Sequence, residues 1–200
     1  MTDYTWPSSI VPSSSEWSYM SNTAAFSSDL SGTTRTLGRG GDRWACTLVC
    51  NNLVGAQRAT LQAFMARLRG QTHRIVLPDH AYVKRGTQAA NVLVKGAGQT
   101  GESLIVDGGT NGATLLVGDM FTLGSALHMV VVDATFSTGQ ATLTLVPPLR
   151  SAPADNASVN LLAPTARFLL TSNTVGWSNN PGGKVGALSS YTLNLVEDIA

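Results

Sequence analysis

Six short runs decide how this chain is read: Val92-Leu-Val-Lys95, Ser103-Leu-Ile-Val106, Thr114-Leu-Leu-Val117, Met120-Phe-Thr-Leu123, Leu127-His-Met-Val-Val-Val132 and Ala141-Thr-Leu-Thr-Leu-Val146. Each is apolar or β-branched, too short for a helix, and set off by turn formers such as Gly108-Gly109, Asn111-Gly112, Gly124-Ser125 and Thr138-Gly139. Five or six strands of this length and spacing close into a small barrel of the SH3 or OB type. Pro147-Pro148 and the stretch 151–156 read as its end, followed by a strand at 159–163.

Outward from the barrel the pattern changes. Residues 1–22 mix Ser and Pro with Tyr4, Trp6, Trp17 and Tyr19, which predicts an irregular arm packed on its own or a neighbouring subunit. Strands are expected at about 23–29, 33–37, 42–50 and 73–77. One helix is expected at about 55–69, because Leu61, Phe64, Met65 and Leu68 fall at i, i+3, i+4 and i+7. Arg67 and Arg69 suit its C-terminal dipole, and Gly70 can close it. After the barrel come 167–171, a loop through Trp177 and Asn180-Pro-Gly-Gly183, and an alternating strand at 191–196. Neither flank can cover a sheet alone, whereas together they can. The expected fold is therefore mainly β: a discontinuous β-sandwich of residues 1–90 plus 164–200 with one α-helix, and an inserted small β-barrel, OB/SH3-like, at 91–163.

The chain has 200 residues, of which 43% are hydrophobic and only 12% charged, so it can bury a real core and is short of the usual charge. The net charge of +1 argues against a protein that neutralises many phosphates. That charge is uneven. Residues 1–90 hold nine basic against five acidic residues, and residues 91–200 hold four against seven. Opposite poles suit docking of copies. No basic leader opens the chain and no apolar run approaches the ~18 residues of a membrane span, so the expected site of synthesis is the cytosol. Cys46 and Cys50 lie four apart on an expected strand, roughly 13 Å at ~3.3 Å per residue, which predicts free buried thiols.

Motifs with chemistry are sparse. Gly96-Ala-Gly98-Gln-Thr-Gly101, with Asp119 eighteen residues on, fits a dinucleotide fingerprint, but a β-branched run follows in place of the helix that would hold a pyrophosphate, so a tight hairpin turn is expected. Gly101-Glu-Ser103 lacks the last glycine of a nucleophile elbow. His73, His80 and His128 have no metal-ligand spacing, and Asp79-His80 reads as a polar turn. Glu102, Asp107, Asp119 and Asp133 could meet as paired carboxylates only through the fold. Trp6, Trp17, Trp44 and Trp177 could stack sugars, though large aromatics belong more often to cores and interfaces. No catalytic, cofactor-binding or metal-binding residue is expected.

Gly41-Asp-Arg-Trp44, Leu61-Gln-Ala-Phe-Met-Ala-Arg-Leu-Arg-Gly70 leading into Arg74-Ile-Val-Leu-Pro-Asp-His80, Gly118-Asp119, Pro147-Pro-Leu-Arg150 and the run from Leu193 to Glu197 carry a resemblance over most of the chain. In these residues the chain resembles the distal tail proteins of long-tailed bacteriophages. The resemblance implies a six-fold ring joining the tail tube to the hub and tip proteins, with some members carrying an OB-type barrel outside the ring. It implies no enzyme activity, no cofactor, no membrane contact and no specific nucleic-acid contact, with DNA passing through the ring. The place would be the virion tail, assembled in the bacterial cytoplasm. Subunit contacts are expected at Tyr4, Trp6, Trp17, Tyr19, Arg39 and Arg43. The alternative is a carbohydrate- or receptor-binding module, with Trp177 as its contact; a wall-degrading hydrolase using Glu102 and Asp119 has the least support.

Overall fold

The computed structural model describes residues 1–181 and 188–199. In chain order the strands are β1 (Asp3–Thr5), β2 (Ser14–Met20), β3 (Thr23–Ser27), β4 (Thr34–Gly38) and β5 (Arg43–Leu53), followed by helix α1 (Gly55–Leu68) and β6 (Arg74–Pro78). Next come β7 (Val92–Val94), β8 (Gly101–Asp107), β9 (Thr114–Leu115), β10 (Met120–Leu123), β11 (Ala126–Val132), β12 (Ala134–Thr135), β13 (Ala141–Leu149) and β14 (Ser158–Asn160). The chain closes with β15 (Thr165–Leu170), β16 (Trp177–Asn180) and β17 (Leu188–Glu197).

The protein is mainly β, with one helix and a closed barrel, as the runs of β-branched residues require. Both flanks of the barrel enter one sheet of order β1-β6-β15-β17-β5-β2, with β16 pairing β17 beyond that path. Along β5 the alternation puts Trp44, Cys46, Leu48 and Cys50 on one face. Helix α1 covers that face with Leu61, Phe64, Met65 and Leu68, each worth ~1.5–3 kcal/mol when buried. The helix ends where Arg69 turns left-handed at φ 51°, one residue before Gly70. Its N-cap, Val54, supplies no side-chain bond, which is why the sequence marks the start weakly.

Residues 91–163 form the barrel β10-β11-β13-β8-β7-β14, antiparallel throughout. Val94, Leu104, Val106, Phe121, Val130, Leu143, Leu145 and Val159 fill it. The β9–β12 pair adds Leu115 and Ala134 at one end. Met120 and Leu127 belong instead to the core of the large sheet, so the two cores touch there.

Three expectations need correction. Residues 1–22 are irregular only in part: β1 pairs β6 in parallel and β2 pairs β5 antiparallel, while 6–13 between them lie in no strand. Both are edge strands with no fully buried residue, so neither shows an apolar alternation, and Pro7 and Pro12 between them add to the irregular look. The barrel does not end at Pro147-Pro148, because β13 runs to Leu149. The prolines fall where its register with β8 shifts between Thr144 and Leu149, so the missing amides break no ladder. Trp177 stands in a strand rather than a loop; all four residues of β16 are exposed, leaving no apolar alternation to read. Of the expected turn after it, Gly182 and Gly183 lie outside the described residues.

Candidate functional site

The feature that a solitary molecule leaves least satisfied is the β3–β4 hairpin. It continues the β2–β5 ribbon off the body, pairs with no other strand among the described residues, and is exposed along nearly its whole length. The register places Ala24 opposite Leu37 and Phe26 opposite Arg35, which makes one apolar face flanked by an arginine. Phe26 and Leu37 are 56% and 57% exposed, and Leu30 at the tip is fully exposed. A lone two-stranded hairpin is marginal in water.

Its root, by contrast, is firmly tied. The Asn22 amide donates to Asp42 Oδ1 at 2.7 Å, Asn22 Nδ2 to the Gly40 carbonyl at 2.7 Å, and the Arg39 amide to the Asn22 carbonyl at 2.9 Å. The Tyr19 hydroxyl donates to Asp42 Oδ2 at 3.2 Å. Burial, then the Asp42 and Glu102 charges, push the Tyr19 phenol up to about 12. Beside this root lies a cavity of about 330 Å³ lined by Gly40, Gly41, Pro148, Leu149, Arg150 and Ile199. The sheet face turned away from α1 presents Arg43, Ala45, Thr47 and Val49 on β5 and Thr192, Asn194 and Val196 on β17, with Arg43 as the one charge in these rows.

The expected contact residues do not form one patch. Tyr4 lies at the β1 edge, under the Arg67 guanidinium at 4.1 Å and edge-on to His73. Trp6 follows it and is core, 4% exposed, its indole N–H donating to the Ile10 carbonyl at 2.7 Å. Trp17, Tyr19 and Arg43 lie at the opposite edge, along β2 and β5, and Arg39 at the hairpin root. Trp17 is half-buried against Phe168, Tyr19 packs edge-on to Trp44, and Arg39 is exposed. Sequence reasoning missed the hairpin tip; the signal was there in Phe26, Leu30 and Leu37 standing alone among Ser, Thr and Gly.

The carboxylates weighed for catalysis have other work. Asp119 is buried and accepts the amides of Arg85 at 2.7 Å, Gly86 at 2.8 Å and Leu116 at 2.9 Å, so it pins the 79–90 loop to the barrel. Asp133 accepts the Val117 amide at 2.7 Å. Glu102 is exposed near Tyr19. Asp79 accepts the Ala81 amide at 3.0 Å in an Asx turn. Burial lowers the pKa of His80, against the raising charge of Asp79, and also that of His128, whose Nδ1 meets the Pro147 carbonyl at 2.8 Å. Cys46 and Cys50 are free and buried, and burial pushes their thiols up to about 12 and about 11. The four tryptophans share no platform: Trp6 and Trp44 are core, Trp17 is half-buried, and Trp177 is 43% exposed over Tyr191.

Gly96, Gly98 and Gly101 all take positive φ, in the turn joining β7 to β8. The Gln99 side chain fills it, accepting the Ile105 amide at 2.6 Å and donating to the Lys95 and Ile105 carbonyls. A β-hairpin occupies the place where a phosphate-binding helix would have to start. Among the described residues no group of three or more His, Cys, Asp or Glu is placed to hold a metal, and no helix is long and apolar enough to cross a membrane. No protein-family model and no curated protein matches the chain.

Proposed function

We propose that this chain is a structural ring protein of a long-tailed phage tail, joining the tail tube to the tip proteins by closed association of its own copies. The observation that carries the reading is the hairpin: a rooted, projecting ribbon whose Phe26, Leu30 and Leu37 are left in water until another surface covers them. The outer face of β5 and β17, whose rows carry Arg43 as their one charge, supports it, as does the family resemblance of the helix and its flanks. Its partners would be copies of itself, the tube and the hub, and the assembly would act without turnover.

Electron microscopy and light scattering of the purified chain, with and without preformed tail tubes, test the reading. A ring with a central opening is expected. A monomer at high concentration that also ignores the tube would refute it. A second reading, saccharide binding, rests on the exposure of Trp177 beside Ser178 and Asn179. It requires glycan-array binding that disappears in Trp177→Ala.

A further inference from the structure

The hairpin and the cavity at its root are two different surfaces of one molecule, and they match each other in chemistry. The hairpin offers an apolar tip, Phe26 and Leu30, with Arg35 directly across from Phe26. Its charge from 21 to 41 is two arginines, Arg35 and Arg39, against Asp29. The cavity offers an apolar floor of Pro148, Leu149 and Ile199. Glu102 adjoins this floor, since it follows Gly101, which pairs with Leu149, and its carboxylate acts on Tyr19 together with that of Asp42. The positive charge within the cavity, Arg150, is already held by Glu197 at 2.6 Å. Glu102 thus stands as an exposed acid on the Leu149 side of the cavity, while Arg39 and Arg43 flank its Gly40–Asp42 wall. A molecule cannot fill its own cavity with its own tip, because Gly40 and Gly41 at the root form one wall and the ribbon runs outward from there.

Resting on the ring reading above, we infer that the hairpin of one copy seats Phe26 and Leu30 in the root cavity of the next copy, with Arg35 facing Glu102. The contact joins unlike patches, so it propagates head to tail and closes into a ring when the rotation allows. Apolar filling supplies adhesion and the charge pair sets register.

Native mass spectrometry of the full chain gives the test. Arg35→Glu and Glu102→Arg each weaken assembly at least ~10-fold, while the double reversal restores it. Both positions are exposed, and unchanged circular dichroism verifies the fold of each variant. Independently, Leu30→Cys with Ile199→Cys forms, on oxidation, a disulfide ladder of covalent oligomers; Cys46 and Cys50 are buried and do not compete. Rings that tolerate both single reversals, or a double reversal that fails to restore them, overturn this docking and leave the ring reading standing. So does Leu30→Cys alone cross-linking the rings in pairs, which would mean tip meets tip. A wild-type chain that never assembles, even on tubes, overturns both.

Discussion

Replacing Glu197 should loosen the joint between barrel and sheet more than any other single change. Its side chain is fully buried at the end of β17. Oε1 accepts the Leu127 amide at 3.0 Å and Arg150 Nη1 at 3.3 Å; Oε2 accepts the Trp44 amide at 3.1 Å and Arg150 Nη2 at 2.6 Å. One carboxylate thus ties β5 of the sheet to β11 of the barrel and to the end of β13. Glu197→Ala leaves two buried amides without acceptors, at ~1–3 kcal/mol each. It also strips the partner from a guanidinium that is mostly buried, and breaking such pairs costs ~3–5 kcal/mol. These penalties overlap, so the expected loss is about 4 kcal/mol, out of the ~5–15 typical of a whole domain. For a chain of this length that lowers Tm by on the order of 10 °C.

Urea unfolding followed by tryptophan fluorescence measures it, since the Trp44 indole donates to the Leu127 carbonyl across the same joint. Glu197→Gln keeps the shape but turns an N–H donor toward other donors, so it should lose nearly as much. Arg150→Met, combined with Glu197→Ala, closes a double-mutant cycle, and the two losses should be strongly non-additive. A loss under about 1 kcal/mol for Glu197→Ala, or strict additivity, would show that the joint is held by the apolar contacts of Met120 and Leu127 and that the carboxylate is incidental.

Three further outcomes are expected. Cys46 and Cys50, with thiols pushed up to about 12 and about 11, stay unreactive toward a thiol reagent at pH 8 in the native state and both react in denaturant. A β-carbon at position 86 would sit 2.3 Å from the Thr114 carbonyl oxygen and 2.5 Å from Asp119 Oδ2, so Gly86→Ala should cost ~1–3 kcal/mol in chemical denaturation. His128 is neutral in the fold because burial lowers its pKa, while the unfolded chain titrates near the ordinary value of 6.5. The unfolded state then binds more protons, so stability is full above about pH 6.5 and falls as the pH drops below it. His128→Gln should flatten that fall, leaving a smaller slope from His80, whose pKa burial also lowers; an unchanged slope would remove His128 from the account.

What the sequence revealed follows from where one face of an element is fully buried. The barrel strands and α1 carry their partners' imprint: Leu104, Val106, Leu143 and Leu145 alternate inward, and Leu61 to Leu68 keep one helical face. Strands with no fully buried residue leave no such imprint, which is why β1, β2 and β16 were hidden among Ser, Asn and Pro. The candidate contacts lie apart for a related reason. Large aromatics near the start of the chain predicted an arm packed on its own or a neighbouring subunit; Trp6 packs on its own subunit, because an indole whose N–H finds the Ile10 carbonyl can be buried without an unpaired donor. The residues left exposed were ordinary, Phe26, Leu30 and Leu37, and only the pairing of β3 with β4 shows that they share one projecting ribbon.

The joint and the hairpin root are one mechanical unit. Arg150 Nη2, besides meeting Glu197, donates to the Asp42 carbonyl at 2.7 Å, and Asp42 holds Asn22 and Tyr19 at the root. The cavity beside the root takes its walls from the hairpin root, from the end of β13 and from Ile199 beyond β17. The Glu197–Arg150 pair therefore helps to hold the spacing of three segments distant in sequence. A contact that must close a ring tolerates little angular error, because each copy repeats the same rotation. It follows that Arg150→Met, in a range of temperature where the chain is still folded, should broaden or open the assembled rings, since Arg150 lines the root cavity and also holds its walls in place. Rings of unaltered diameter in that variant would mean that the barrel has no part in setting the curvature.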